Sequence, residues 1–219
     1  MIMGEMYAEL NDVKGAFLNG TFSNNEKLYM KVPQGFERFY PSNVVLLLKK
    51  TIYGLKQAAF EYWRALLKAI KSIGLASCCA DPCVYFRWTQ RGLNLWASWV
   101  DDLLSCGSKK DVIDGRKALK KHFALDKIRE LKEYVGCKVE FDMRNHCMKL
   151  TQPVLIQSFQ DKFDLSTITG PCRTPAEPGS MLVGGDVTVN EKRHKNYQKG
   201  VGKLIHLAKY SRPGIMNAV

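Results

Sequence analysis

Acidic residues are scarce in this chain. Its 21 Asp and Glu stand against 33 Lys and Arg, a net charge of +12 over 219 residues. A shortage of acid on this scale points to a polyanionic partner. Long hydrophobic runs are missing too: the longest uninterrupted aliphatic stretch is 44–48, VVLLL, far short of the roughly 20 residues that cross a bilayer. The start, MIMGEMYAEL, has no basic head followed by an apolar stretch, so neither a membrane helix nor a secretory signal is expected. The cysteines lack a pairing pattern. Cys78, Cys79, Cys83, Cys106, Cys137, Cys147 and Cys172 are seven in number and irregularly spaced, which suits reduced thiols of the cytosol or nucleus rather than a disulfide framework. Cys79 and Cys83 have no second pair or histidine at metal spacing, so structural zinc is not expected there. Internal repeats and low-complexity tracts are absent as well. With 46% hydrophobic residues the chain can still bury a substantial core, as one large domain or two small ones.

Against this scarcity of acid, the most distinctive turn is a doublet of acids. In 93–107, LNLWASWVDDLLSCG, two apolar runs flank Asp101 and Asp102, which reads as two strands joined through a pair of carboxylates. Taken alone, adjacent aspartates are ordinary turn residues. Here Trp96, Trp99, Val100, Leu103 and Leu104 press close, so the hairpin is expected to be largely buried, and two like charges at its tip would repel strongly. A hard divalent cation such as magnesium is the economical counter-charge. A basic surface with a carboxylate-bound metal at its focus accounts for both features; a simple nucleic-acid binder would have no use for the acids.

In chain order, MYAELND reads as a strand ending on Asp12, followed by a short turn or helical segment carrying Phe17 and closed by Asn19-Gly20. Asp12 alone could equally be a helix cap or turn residue. A strand around Leu28, a break at 33–36 (PQGF) and an apolar strand over 43–50 come next. A helix is expected over 56–72, with Trp63, Leu66, Leu67 and Ile70 on the core face, Glu61, Arg64, Lys68 and Lys71 elsewhere, and Gly74 as its stop. Strands over 83–89 and 93–100 lead into the acidic turn. A second helix opens at Ser108, with Val112, Leu119 and Phe123 inward and Arg116, Lys117, Lys120 and Lys121 outward. A hairpin after Leu131 turns near 144–146, and the order strand, helix, strand pair, helix, strand is that of a ferredoxin-like α+β layer. Asp12 and the Asp101-Asp102 turn can lie on neighbouring central strands of such a layer. A Pro-started helix over 153–163, a Pro- and Gly-crowded linker over 169–185 and a helix over 197–210, with Val201, Leu204, Ile205 and Ala208 as its stripe, complete the chain.

With these pieces in order the chain resembles the reverse transcriptase of copia-type long-terminal-repeat retrotransposons. The motifs are DVKGAFLNG from Asp12, LYMKVPQGFE from Leu28, IYGLKQAA from Ile52, WVDDLL from Trp99, LTQPVLI from Leu150 and LIHLAKYSRPGI from Leu204. The resemblance implies an α+β polymerase palm, a ferredoxin-like antiparallel sheet with helices on one face, with partial fingers over 1–150 and a small thumb-like helical subdomain with its Pro/Gly-rich linker over 151–219. It implies RNA-directed DNA polymerase activity, with Asp12, Asp101 and Asp102 as catalytic residues holding two magnesium ions, or manganese in their place. Phe17 would lie beneath the incoming sugar and Gln34 would line the same nucleotide pocket; outside the family these would be read as a core residue and a turn residue. The implied partners are an RNA or DNA template, a DNA or tRNA primer and deoxynucleoside triphosphates, with no membrane, and an oligomer or association with other Pol-derived chains. The implied setting is the cytoplasm, in a virus-like particle, or the nucleus.

The chain also departs from the family pattern. Trp99 stands where the family has tyrosine before Val-Asp-Asp, and Asn11 puts a polar group where an apolar residue precedes the first aspartate. The resemblance further implies truncation at both ends, with most of the fingers before Asp12 and the ribonuclease H domain missing. Two alternatives to an active polymerase stay open at this point: a relic or repurposed copy that binds nucleic acid without extending it, and a structural or partner-binding protein that never meets nucleic acid.

Overall fold

The computed structural model describes residues 6–23, 26–126, 129–142, 144–145, 147–163, 170 and 190–219. The expected linker over 169–185, apart from Gly170, together with Cys172 and His146 lies outside them. The chain divides into two compact units, Met1–Leu131 and Lys132–Val219.

The first unit runs β1 (Tyr7–Asp12), a 3-10 turn (Ala16–Asn19), β2 (Leu28–Lys31), a second 3-10 turn (Glu37–Phe39), β3 (Val45–Leu48), α1 (Ala58–Ser72), β4 (Ala76–Ser77), β5 (Val84–Thr89), β6 (Gly92–Trp99), β7 (Asp102–Gly107) and α2 (Lys109–Leu119). Five strands form one sheet in the order β1-β7-β6-β5-β4, antiparallel throughout. β2 and β3 pair separately, with Leu28 opposite Leu48 and Met30 opposite Leu46 on the half-buried side. The helix boundaries follow local chemistry. The Ser108 hydroxyl caps α2 by accepting from the Asp111 amide at 3.2 Å, and Gly74, at φ +85°, ends the turn after α1.

Directly opposed residues of an antiparallel pair share a face. Register therefore aligns Tyr85, Trp96, Ser105 and Glu9 in one row, with Leu103 and Asn11 in the next. This face receives both helices: Tyr62, Leu66 and Ile70 of α1, with Leu119 and Phe123 at and beyond the end of α2, close on Tyr85, Trp96 and Leu103 as one buried core. A Cβ at Gly115 would lie 2.7 Å from the Trp96 ring, so α2 crosses this closely because it carries glycine there.

The same face corrects two helical-wheel expectations. Glu61, expected off the core face of α1, is buried: it accepts a hydrogen bond from the Ser23 hydroxyl and pairs with Arg64 at 3.4 Å. Arg116 is not an outward cation either. Its side chain is 12% exposed and reaches the buried Glu9 at 3.5 Å, while the Tyr7 hydroxyl and the Asn11 amide nitrogen each donate to Glu9 at 3.2 Å. Asn11 is buried as its place in the strand implied, and its Oδ1 has no hydrogen-bond partner among the described residues.

The opposite face carries Asp12, Asp102, Leu104, Ala97 and Trp99. Neither α1 nor α2 packs on it, and this overturns the expectation of a buried hairpin tip: Trp99 is 51% exposed and Val100 45%.

The second unit holds β8 (Glu133–Tyr134), β9 (Cys137–Asp142), β10 (Cys147–Thr151), α3 (Pro153–Gln160), α4 (Glu191–Tyr210) and a closing 3-10 segment (Pro213–Ala218). The hairpin after Leu131 forms its own sheet, in the order β10-β9-β8, and does not extend the five-stranded one. The outer edge of β1 is bridged instead by Arg129, opposite Leu10, and Leu125, opposite Val13. α4 begins earlier than its apolar stripe suggested, capped by the Asn190 side chain. Its buried positions are Gly200, Leu207 and Ala208, and Ile205 is exposed. Gln152 is buried between the His206 ring at 2.7 Å and the Ser211 hydroxyl at 2.8 Å. Among the described residues no helix is long and apolar enough to cross a membrane.

Candidate active site

β1 leaves the sheet at Asp12 and β7 enters it at Asp102, and these two residues are direct cross-strand partners. Asp101 sits beside them in the two-residue turn between β6 and β7. The turn is tied to β1 by the Val13 amide, which donates to the Asp101 carbonyl at 2.9 Å. The three aspartates singled out in the sequence are thus brought together by one register, at the end of the sheet's helix-free face.

The turn carries backbone strain. Val100 has φ 53°, a left-handed conformation that is an outlier for a β-branched residue and that hairpins normally give to glycine. Relief of about 1–2 kcal/mol of left-handed strain against the roughly 0.5–1 kcal/mol entropic cost of glycine gives Val100→Gly a net stabilisation of about 0.5–1 kcal/mol. Urea unfolding would measure it, and a destabilised variant would show that the valine side chain outweighs the strain.

Cations ring the carboxylates. One guanidinium nitrogen of Arg129, Nη2, lies 3.4 Å from Asp12 and 3.5 Å from Asp102, and Lys14 pairs with Asp126 at 2.8 Å. The Asp126 amide donates to the Asp12 carbonyl at 2.9 Å, which holds this second acid beside the first. Burial raises the Asp12 carboxyl above the ordinary aspartate value; repulsion by Asp101 adds to the rise and Arg129 opposes it. Asp102 is raised for the same reason, burial first, with Arg129 again opposing. Among the described residues no three His, Cys, Asp or Glu side chains form a ready-made metal cage. What is assembled is a pair of facing carboxylates, spanned by a cation, with a third carboxylate in the adjoining turn.

Phe17 and Gln34 are carried by other segments of the first unit. Phe17 is on the 3-10 turn that follows β1, its ring 4.4 Å from that of Tyr53 and 6.3 Å from that of Tyr62. Gln34 is exposed in the turn after β2, where the Phe36 amide donates to the Pro33 carbonyl at 3.0 Å and Gly35 takes φ +90°, a type II arrangement.

Two further residues belong to the surroundings and were missed in the sequence. The first is Tyr62, on α1. It is buried, its hydroxyl has no hydrogen-bond partner among the described residues, and burial followed by the Asp101 charge raises its phenol well above the ordinary value. Arg129 lies in a stretch without hydrophobic alternation, and its importance comes only from the bridge that sets it beside β1.

Comparison with known proteins fits this geometry. The family model described as reverse transcriptase (RNA-dependent DNA polymerase) matches residues 4–178. The chain is 30% identical over 223 residues to the retrovirus-related Pol polyprotein from transposon TNT 1-94 of Nicotiana tabacum, covering 98% of this chain and 16% of that protein. It is 28% identical over 212 residues to the Pol polyprotein from transposon RE1 of Arabidopsis thaliana, covering 95% of this chain and 14% of the relative. A putative transposon Ty5-1 protein of Saccharomyces cerevisiae is 27% identical over 205 residues, covering 93% of this chain and 65% of its own length. The chain therefore spans a small part of the plant polyproteins and about two thirds of the yeast protein. The six motifs read in the sequence and the match over most of its length agree, and the chain belongs to the reverse transcriptase (RNA-dependent DNA polymerase) family of copia-type transposons.

Proposed function

We propose that this chain performs RNA-directed DNA synthesis, transferring deoxynucleotides to a primer 3′-hydroxyl in a reaction that depends on two magnesium ions, or manganese. The observation that carries this reading is the pairing of Asp12 with Asp102 across β1 and β7, with Asp101 in the adjoining turn. On the same reading residues 1–150 act as palm with partial fingers and residues 151–219 as a thumb-like unit.

The residues fit the ions. Carboxylate oxygens are the donors that magnesium prefers, and the Arg129 guanidinium across Asp12 and Asp102 is a stand-in positive charge at the same oxygens. Asp12, Asp101 and Asp102 would hold the ions; when bound, these supply Lewis-acid activation of the attacking hydroxyl and neutralise the leaving group. The protein's own part is alignment. β1 and β7 fix two carboxylates through a rigid ladder, and the strained turn fixes the third, so little reorganisation is needed during in-line displacement. Phe17, five residues beyond Asp12 and braced by Tyr53 and Tyr62, would support the sugar of the incoming nucleotide, with Gln34 lining the same pocket. Template and primer, as RNA or DNA, would be held through the excess of lysine and arginine.

Primer extension on an RNA template with magnesium and deoxynucleotides tests the reaction, and duplex binding across a salt series tests the surface. Extension is expected, together with an affinity that falls linearly in log salt, by roughly 10³-fold or more between 50 and 200 mM if about six phosphates are neutralised. A flat salt response would remove nucleic acid as the partner. Steep salt dependence without extension would leave a binder that no longer polymerises.

A further inference from the structure

The Arg129 side chain is 57% exposed, whereas Asp12 and Asp102 are 25% and 29% exposed, so the guanidinium reaches in from solvent over two half-buried acids. Its backbone does not share this freedom. The Arg129 amide donates to the Leu10 carbonyl at 3.0 Å and its carbonyl accepts from the Leu10 amide at 3.0 Å, which pins the main chain to β1 two residues before Asp12. The contact itself is loose: a single nitrogen, Nη2, is shared between two carboxylates at 3.4 and 3.5 Å, where a tight charge-assisted pair would be bidentate at about 2.7–2.9 Å.

Without a counter-charge, facing carboxylates on adjacent strands repel across a partly desolvated gap. The tethered guanidinium relieves that repulsion with one diffuse charge held at a distance. A magnesium or manganese ion would bring two charges to about 2.0–2.2 Å of the same oxygens, so it is the stronger partner, and both cannot occupy those oxygens together. We infer that Arg129 is a built-in counter-cation that competes with divalent metal ions for Asp12 and Asp102, holding the two acids in place until the metal displaces it. The inference rests on the metal-site reading above. Its consequence is an apparent metal affinity lowered by the fraction of molecules in which the arginine is engaged. It also gives an exposed arm that can leave the site without moving the backbone that bears it.

The test is manganese binding to the full chain, followed by electron paramagnetic resonance or calorimetry at low ionic strength, for the wild type, Arg129→Gln, Arg129→Lys and an Asp12→Asn, Asp102→Asn double variant. Arg129→Gln is expected to bind manganese roughly 1.5- to 5-fold more tightly than wild type, the range set by exposed ion pairs, with Arg129→Lys between them. The gap is expected to narrow at high salt, where exposed charges are screened. Melting without metal should be lower for Arg129→Gln than for wild type, and manganese should close the difference; a merely structural arginine would lower the melting point and leave metal affinity alone. Equal affinities for wild type, Arg129→Gln and Arg129→Lys, with binding lost in the double aspartate variant, would overturn the inference and keep the metal site. If the double aspartate variant binds manganese as well as the wild type does, the metal site itself is refuted and the inference goes with it.

Discussion

Asp101→Asn combined with Asp102→Asn is expected to lower magnesium-dependent nucleotide incorporation by roughly 10³-fold or more while duplex binding is unchanged or improved. The asymmetry follows from the position of the acids. They sit where β7 begins, at the end of the sheet face on which α1 and α2 do not pack, so removing their charge leaves the core intact and removes a repulsion toward phosphate. Single-turnover extension beside a binding titration reads both quantities. A parallel loss of binding would mean that the acids hold the fold and not the reaction.

The same acids give a pH-dependent stability with a definite sign. Burial raises the Asp102 carboxyl in the folded chain, so at mildly acidic pH the folded state retains a proton that the unfolded chain has released. The residue therefore contributes stability below its unfolded value and loses it as pH rises through the raised folded value. Asp102→Asn should melt with the wild type well below the ordinary aspartate range, and about 2 °C above it at neutral pH without metal. A carboxylate that weakens the fold at the pH where it would bind metal is the usual exchange of stability for function.

Arg116→Ala is expected to cost about 3 kcal/mol of stability, within the range for removing one partner of a buried ion pair, or about 6–12 °C in melting temperature for a chain of this size. Glu9 is 1% exposed, and its cationic partner across β1 and α2 is Arg116 at 3.5 Å. The hydroxyl of Tyr7 and the amide of Asn11 remain to Glu9 in the variant, but neither carries charge. Replacing both members of the pair, as Glu9→Leu with Arg116→Met, should recover most of the loss, because a well-packed apolar pair avoids the desolvation of two ions. Urea unfolding of the two single variants and the double variant gives the coupling. A loss under about 1 kcal/mol for Arg116→Ala would mean that solvent reaches Glu9 once the arginine is gone.

Much of the architecture is legible in the residues because it is local. Alternation over 7–12 and 84–107, the Ser108 cap, the glycine stop at Gly74 and the proline start at Pro153 each act within a few positions, and the elements appear where those signals put them. The burial of Glu61 and Arg116 escaped the same reasoning. A helical wheel assigns them to a polar face, whereas Ser23 and Glu9, far away in the chain, supply the partners that let them turn inward. The exposed tip at Trp99 and Val100 was misjudged for a related reason: apolar composition says that a strand has a buried side but not which side the helices will cover.

The motifs from Asp12 to Ile215 determined the family by themselves, since each is a short run of residues readable without coordinates. The same runs singled out three aspartates, one of them nearly ninety residues from the other two. Tertiary structure alone decided that Asp12 faces Asp102 in a single register, that the pair lies on the face away from α1 and α2, and that Arg129 reaches over both. The physical reason is that charge and hydrophobicity are properties of residues, whereas repulsion, desolvation and competition for a cation are properties of distances. Those distances were set by strand pairing between parts of the chain that no sequence window contains.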